Sequence, residues 1–299
     1  MTLQQLRQVL TIAESNSMNE AAKKLFVSQP NLSATVREVE EELGITVFMR
    51  NNRGITVTAE GEEFLGYAKQ VVEQYHLLEN RYLNVESKKK FSVSMQHYSF
   101  AVKAFVQLAK EVGMDEYEFA VHETKTKEVI DNVKNLKSEI GVLYLSDFNE
   151  KVLRKLFKEC DIEFKELFTC NTYVYLWKKH PLAGQKEITL DDLQEYPCLT
   201  FEQGVNNSFY YAEEMMSTYE YKRVIKADDR ATMLNLMVGL NGFTLCSGII
   251  SEDLNGDDYA AIPLKESEKM HIGYIKHKGT KLSKLGEIYI DALKNYENK

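Results

Sequence analysis

Residues 21–44 of the 299-residue chain read AAKKLFVSQPNLSATVREVEEELG and decide the fold of its N-terminal part. Apolar side chains recur there at steps of 4, 3 and 4 residues, at Leu32, Val36, Val39 and Leu43. This spacing predicts a helix with one buried face. Ser28 can cap the start of the helix, Pro30 is tolerated in its first turn, and Gly44 is a typical C-terminal cap.

The beginning of this helix and a second face carry small and polar side chains. They are Ser28, Gln29, Pro30, Asn31, Ser33, Ala34 and Arg37. Amide and hydroxyl groups can form hydrogen bonds with base edges, and a small alanine lets a helix approach a DNA groove closely. Arg37 can pair with a phosphate. The pattern predicts a recognition helix; the alternative is a small helical bundle whose polar face is merely solvated.

Two further helices and a hairpin surround the recognition helix. Apolar spacing predicts a first helix over residues 3–13, and Asn19 can cap a second over 20–25. After Gly44, two β-prone runs flank an Asn-Asn-Arg-Gly turn, which is typical of a hairpin. A hairpin in this position is a wing, and two arginines lie where a wing meets the DNA backbone or minor groove: Arg50 and Arg53.

Several segments of this region resemble, in order and spacing, the DNA-binding signature of the LysR type of bacterial transcription regulators. They are residues 21–25, 27–33, 39–44, 47–50 and 58–61. The resemblance implies a winged helix-turn-helix that binds an interrupted inverted repeat in double-stranded DNA as a homodimer or homotetramer, with RNA polymerase as a further candidate partner. It also implies that four side chains face the DNA: Gln29, Asn31, Ser33 and Arg37.

The charge of the chain is acidic, although nucleic-acid binding usually leaves a basic footprint. The formal net charge is −8, and residues 1–60 carry six Lys or Arg against seven Glu. The cations must therefore be sorted onto one face, and we expect DNA affinity that is modest and sensitive to salt. Since no signal peptide is visible and no apolar run approaches the roughly 18 residues of a membrane span, the expected location is the cytoplasm, without membrane contact.

A long linker helix is predicted over residues 59–89, after a DNA-binding domain at 1–58. Apolar residues follow an a/d pattern for about three heptads, at Phe64, Ala68, Val71, Tyr75, Leu78, Tyr82 and Val85. Such a seam is buried against a second copy or against its own domain, and its position after a winged helix favours a homodimer. The basic run 87–90 is predicted to end the helix.

The remaining residues, 90–299, alternate between predicted strands and helices, so the fold class is α/β. The arrangement resembles the two-lobed, periplasmic-binding-protein-like effector domain of LysR regulators. Lobe I is expected to comprise 90–161 and 267–299, and lobe II 162–266. The β-prone stretch 162–177 is expected to cross into lobe II, where a helix is predicted at 207–216.

Ligands of open α/β sheets bind at the carboxyl ends of strands, near helix N-termini. The candidates at such positions are Ser94, Gln96, His97, Tyr98, Glu123, Thr124, Thr200, Phe201, Glu202, Asn206 and Ser247. They suit a small carboxylate or amino acid, and the resemblance to LysR sensors favours the loop that contains Ser94, Gln96, His97 and Tyr98. The alternative for each residue is helix capping or packing.

The metabolic role is predicted from two short stretches. The loop 96–98 and residues 230–234 resemble LysR regulators of cysteine and methionine supply, so we expect an effector near O-acetylserine or a homoserine derivative. The alternative is a redox sensor that uses Cys160 and Cys170, as in the peroxide-sensing members of the family; none of the four cysteines lies in a C-x-x-C pair. The effector is expected to bind between the lobes and to shift the population of closed forms.

Other function classes are disfavoured. The sequence contains no nucleophile elbow, Walker loop, zinc-protease motif or dinucleotide-binding motif, so an enzyme is not expected. Neither a metal site nor a cofactor is expected. The fused winged helix also argues against a solute-binding protein that serves transport.

Overall fold

The computed structural model describes residues 1–15, 17–51, 54–82, 88–113, 116–206 and 208–296. The chain divides into two compact units, Met1–Ser87 and Lys88–Lys299. None of the helices in these ranges combines the length and the apolar character that crossing a membrane requires.

Three helices form the core of the first unit: α1 (Leu3–Ala13), α2 (Met18–Lys24) and α3 (Gln29–Leu43). Their apolar faces meet in one cluster, which includes Val9, Ile12, Ala21, Leu32, Val36 and Val39. As predicted, Ser28 caps α3 by accepting a hydrogen bond from the Asn31 N–H, and Gly44 ends it with φ 70°. The predicted cap of α2 was wrong, because that helix begins at Met18: Ser17 is the cap, and Asn19 lies inside the first turn.

The predicted wing is a hairpin of β1 (Phe48–Asn51) and β2 (Gly54–Val57), which pair antiparallel. The helix α4 (Ala59–Tyr82) follows and packs its first half on α1, where Ala68 and Val72 are buried with Leu6. On a different face of α4, the predicted seam residues Val71 and Leu78 are 51% and 55% exposed. The first residues of the predicted seam, Phe64 and Ala68, therefore pack against α1 of the same chain, whereas the later residues Val71, Tyr75 and Leu78 are exposed. Val85 and the side chain of Tyr82 lie outside the described residues.

The second unit alternates strands and helices. In chain order they are β3 (Lys89–Met95), α5 (Ser99–Val112), β4 (Tyr117–Glu123), α6 (Thr126–Lys134), β5 (Ile140–Leu145), α7 (Glu150–Glu159), β6 (Ile162–Cys170), β7 (Tyr173–Trp177), α8 (Leu190–Leu193), β8 (Cys198–Phe201), a 3₁₀ turn (Phe209–Tyr211), β9 (Val224–Ala227), α9 (Arg230–Leu240), β10 (Thr244–Cys246), α10 (Glu252–Asn255), β11 (Tyr259–Pro263), β12 (Met270–His277) and α11 (Lys284–Lys294).

Lobe I is built on a sheet with the strand order β4-β3-β5-β12-β6. β3, β4 and β5 are parallel, and β12 is antiparallel to both of its neighbours. Helices cover both faces, so alternate residues of β5 enter different clusters: Val142 and Tyr144 one, Leu143 and Leu145 the other. Burial on both faces explains why this strand is almost continuously apolar.

The crossing between the lobes lies later in the chain than predicted. β6 pairs with β12 from Ile162 opposite His277 to Cys170 opposite Met270, so it is an edge strand of lobe I. The stretch 162–177 is thus two strands of different sheets, and the predicted boundary at 161–162 was wrong. At the true crossing, Thr172 donates from its N–H to Ser267 Oγ (2.7 Å) and from its hydroxyl to the Glu268 carbonyl (2.9 Å), which holds the two crossings side by side.

Lobe II contains the antiparallel sheet β10-β7-β11 and the parallel pair β8-β9, which a bridge between Cys198 and Phe243 joins to it. The helix α9 packs on β8 and β9 through Met233 and Met237.

Three further expectations need correction. Lys89 and Lys90 do not end the linker helix, because their backbones pair with β4 as part of β3. The helix predicted at 207–216 is reduced to the 3₁₀ turn among its described residues, since residues 211–214 bind lobe I instead; Asn207 lies outside the described residues. No element was predicted at 150–159, where α7 lies.

Candidate functional site

The polar face of α3 lies on the surface of the first unit. Asn31, Ala34 and Arg37 are exposed, and Gln29 and Ser33 are partly exposed. Gln29 Nε2 donates to Ser33 Oγ at 2.8 Å, so the two side chains orient each other one helical turn apart. Amide and hydroxyl groups held in this way on an accessible helix can reach base edges.

Ser28 and Pro30 are exposed at the start of α3, beside this polar face. The wing lies on the same unit, but Arg53 and the side chain of Arg50 lie outside the described residues.

The acidic run at the far end of α3 has structural partners. Glu40 Oε1 accepts hydrogen bonds from the N–H groups of Val47 (2.7 Å) and Phe48 (3.0 Å), which ties the wing to the helix. Glu38 accepts from Gln5 Nε2 at 3.0 Å. These carboxylates therefore lie away from the exposed N-terminal half of α3 and organise the unit.

A cleft lies in the second unit between the N-terminus of α5 on lobe I and the helix α9 on lobe II. It encloses about 720 Å³, part of which is open to solvent. Much of its lining is apolar, including Phe100, Met233, Leu234, Met237, Leu245, Ile249, Ile250 and Met270. Polar groups include those of His97, Glu213, Arg230, Thr244 and Ser247. An apolar cavity with a few fixed polar groups is typical of small-molecule sites.

His97 is the polar centre of the cleft, and its partner is internal. Its backbone N–H donates to Glu213 Oε2 at 2.9 Å, and its Nδ1 lies 2.8 Å from the same oxygen. The imidazole stacks on Phe201 with centroids 3.6 Å apart and an interplanar angle of 5°. Glu213 Oε1 accepts from Gln203 Nε2 at 2.9 Å.

Gln96 is buried, and both the nitrogen and the oxygen of its amide form hydrogen bonds within lobe I. Its Nε2 donates to Thr126 Oγ1 (2.6 Å), and its Oε1 accepts from the Tyr98 hydroxyl (3.0 Å) and the Tyr144 N–H (3.2 Å). This residue braces the loop after β3, and it does not line the cleft.

A second carboxyl, Glu214, lies next to Glu213 and is also buried. Its Oε1 accepts from the Phe201 N–H at 2.8 Å. Burial raises the pKa of the Glu214 carboxyl to about 8, and the neighbouring Glu213 adds to the increase. Glu214 is consequently protonated over most of the neutral range.

The candidate ligand residues are only partly brought together. His97, Tyr98, Phe201 and Ser247 line the cleft. Among the described lining residues, the others are absent: Ser94, Gln96, Glu123, Thr124, Thr200, Glu202 and Asn206. Ser94 is buried inside lobe I, where it bonds to Ser138 and Asn132. Glu123 does not line the cleft itself, but its carboxylate accepts a hydrogen bond from the guanidinium of Arg230, which does.

The remaining candidates have other partners. Thr124 bonds to Glu128 within the start of α6. Glu202 accepts from the Gly204 N–H at 2.9 Å, and Thr200 lies in β8 opposite Lys226. Asn206 is partly exposed near the 3₁₀ turn. The polar candidates therefore more often lie outside the lining of the cleft than in it.

The most consequential residue that the sequence did not reveal is Glu213. It lies inside a segment for which a helix was predicted, and no periodic pattern marks it. The one available signal was the pair Glu213-Glu214 in surroundings rich in Tyr and Met.

The cysteines proposed for a redox switch are far apart. Cys160 precedes β6 and Cys170 ends it, so the extended strand separates them by roughly 26 Å at about 3.3 Å per residue. A disulfide needs Cα atoms within about 7 Å. Burial also raises the pKa of both thiols, that of Cys170 to about 12. They cannot bond while β6 stays paired.

No cluster of metal-ligating side chains was found within the described ranges.

Family models match both units. Residues 3–62 match the bacterial regulatory helix-turn-helix protein, lysR family, and residues 114–297 match the LysR substrate binding domain. The second match alone covers more than half of the chain.

The names of known proteins with similar sequences describe them as transcription regulators. The HTH-type transcriptional regulator CysL of Bacillus subtilis is 26% identical over 98% of this chain and 97% of its own length. The transcriptional dual regulator GltC of the same organism is 30% identical over 68% of this chain and 66% of its own.

Solved structures share the fold. A full-length OxyR from Pseudomonas aeruginosa, in a variant with a cysteine replaced by aspartate, has a TM-score of 0.67 at 19% identity, with 98% of each chain covered. CbnR, a LysR family transcriptional regulator, has a TM-score of 0.60 at 17% identity over the whole of both chains. With a winged helix-turn-helix, a linker helix and a two-lobed domain, the chain belongs to the LysR family of transcription regulators.

Proposed function

We propose that this LysR-family regulator binds operator DNA sequence-specifically through α3 and the wing, as a homo-oligomer, and that a small molecule in the interlobe cleft switches its activity. The proposal rests above all on the exposed N-terminal half of α3, where Gln29 and Ser33 are held together at 2.8 Å. Arg37 lies exposed one turn farther along the helix and is the proposed phosphate contact.

The DNA-binding proposal can be tested with operators selected from random duplexes by the unaltered protein. Ser33→Glu places a carboxylate against the DNA and should lower affinity for the selected duplex at least 100-fold. The matched control is Gln4→Glu, which adds the same charge at an exposed position of α1. Circular dichroism checks that both variants are folded. Equal affinity of the two variants would contradict the assignment of α3.

The proposed oligomer uses the outward part of α4. Val71, Leu77 and Leu78 are more than half exposed there, and Tyr67 and Tyr75 lie on the same helix with 60% and 39% exposure. Apolar side chains repeated along a helix surface are stabilised by a second copy. A dimer would present two recognition helices to two half-sites.

The proposed effector is a small metabolite near O-acetylserine or a homoserine derivative, and the proposed role is control of sulfur amino acid metabolism. Support comes from the sequence of loop 96–98 and residues 230–234; His97, Tyr98 and Arg230 also line the cleft. A thermal-shift screen of the full chain with sulfur amino acids, their O-acetyl precursors and unrelated metabolic acids would test this. If only unrelated acids raise the melting temperature, the sulfur assignment is wrong.

RNA polymerase is the proposed further partner at the promoter, and the cytoplasm is the proposed location.

A further inference from the structure

The buried carboxylate of Glu213 lies among hydrogen-bonding nitrogen atoms from both lobes. Three nitrogen atoms surround its two oxygens: the His97 N–H at 2.9 Å, His97 Nδ1 at 2.8 Å and Gln203 Nε2 at 2.9 Å. The first two come from lobe I and the third from lobe II. Such a set would bind the carboxylate of a free molecule as well as that of a side chain.

This arrangement lies in the wall of the cleft. His97 and Glu213 both line it, and their side chains are 7% and 4% exposed. The rest of the wall is mainly apolar, and the buried Thr244 hydroxyl in it has no hydrogen-bond partner among the described residues. A small organic carboxylate with a short apolar body and a second polar atom matches this chemistry.

We propose that Glu213 is an internal substitute for the effector's carboxylate, and that a small organic carboxylate binds the cleft by displacing it from His97 and Gln203. The inference deepens the proposed function, on which it rests. The exchange replaces one set of hydrogen bonds with an equivalent set, so the buried nitrogens are not left unsatisfied. The remainder of the ligand then decides its affinity.

The binding position exists independently of Glu213. The His97 ring is fixed by its stacking on Phe201, and Gln203 is fixed because its Oε1 accepts from the Thr126 N–H at 3.1 Å. Removal of the Glu213 side chain would therefore leave the donors in place for another carboxylate.

Displacement would also be transmitted to the contact between the lobes. The Thr126 hydroxyl donates to the Tyr211 carbonyl at 2.7 Å, and the Tyr144 hydroxyl donates to the carbonyls of Ala212 (3.1 Å) and Glu214 (3.4 Å). These bonds hold the residues on both sides of Glu213 against lobe I. A ligand that moves Glu213 would weaken these bonds between the lobes. The ligand would then bind more tightly to a form in which these bonds are broken than to the form in which they are intact, and switching requires such a difference in affinity.

Chemical rescue tests the proposal in the full-length protein. In Glu213→Ala, sodium acetate at millimolar concentration should raise the melting temperature by several degrees relative to sodium chloride of equal ionic strength. At that acetate concentration, the melting temperatures of the unaltered protein and of the matched control Glu187→Ala, which changes an exposed glutamate of lobe II, should not change. Adding His97→Ala to Glu213→Ala should abolish the rescue.

A folded Glu213→Ala variant that ignores acetate would overturn the proposal, as would a rescue that persists without His97. If Glu213→Ala does not fold, Glu213→Gln keeps the size of the side chain and removes its charge. Acetate should then act at a concentration at least 10-fold lower than in the unaltered protein, and an unchanged concentration would refute the displacement. Binding of the unaltered protein to selected operators is measured in parallel, so failure of the DNA-binding proposal is seen separately.

Discussion

The two units use their polar and apolar side chains in opposite ways. In the first unit, Gln29 and Ser33 stay accessible on α3, and Val71 and Leu78 stay accessible on α4. In the second unit, Gln96 and Glu213 are buried and bonded to partners on other elements. Under the proposals made above, the first unit binds other molecules through these accessible groups. The second unit binds its own carboxylate, which an effector would have to displace.

The largest effect is expected on self-association through the outward part of α4. Replacing both Val71 and Leu78 with lysine should weaken self-association about a thousandfold, which corresponds to about 4 kcal/mol, because two charges replace apolar contacts. Sedimentation velocity measures the change. The control Glu73→Lys alters an exposed residue of the same helix and should leave the mass distribution unchanged. An unaltered mass of the double variant would place the self-contact elsewhere.

Two glutamine substitutions sharpen the contrast between accessible and buried amides. Gln96→Leu leaves the Tyr98 hydroxyl and the Tyr144 N–H without their acceptor, so the free energy of unfolding should fall by about 3 kcal/mol. Gln29→Leu should change it by no more than about 0.5 kcal/mol, because that side chain lies at the surface. Urea denaturation measures both. A similar decrease in the free energy of unfolding in both variants would contradict the distinction between the buried and the accessible amide.

The sequence predicted the first unit well because its constraints are local. The stripe of Leu32, Val36 and Val39, the cap at Ser28 and the left-handed Gly44 all act within one helix. It predicted the second unit less well because the partners there are distant in the chain. A strand pattern in residues 162–170 does not tell which sheet the strand joins, and Glu213 reaches across 116 positions to His97.

For the buried Glu214, we expect a pH dependence of the free energy of unfolding. The unfolded chain loses this proton near the ordinary pKa of 4.5, and the folded chain keeps it until about pH 8. The unfolded state thus binds fewer protons between these values, so stability falls as pH rises, by at most about 1.4 kcal/mol per pH unit. Glu214→Gln should flatten the profile in denaturation measured from pH 5 to 9. An identical slope in the variant would contradict the assignment to Glu214.

The smallest effect is expected at the turn between α2 and α3. Phe26 adopts φ 54° and is 96% exposed, so its ring has little packing to lose. Phe26→Asn should raise the free energy of unfolding by about 0.5–1 kcal/mol, since asparagine tolerates the left-handed region better. Phe26→Ala removes the ring without that preference and serves as the control. A higher melting temperature for Phe26→Ala than for Phe26→Asn in thermal denaturation would disprove this explanation.

The pairing of β6 with β12 makes lobe II an insertion within lobe I. Cys170 and Met270 are opposite each other at the point where the chain leaves and returns, and a two-residue turn is the ordinary connection for antiparallel strands in that position. Joining them would turn the two strands into an edge hairpin and preserve the strand order of the lobe I sheet. The two ends that Thr172 holds together are therefore a natural junction for exchanging one sensing lobe for another.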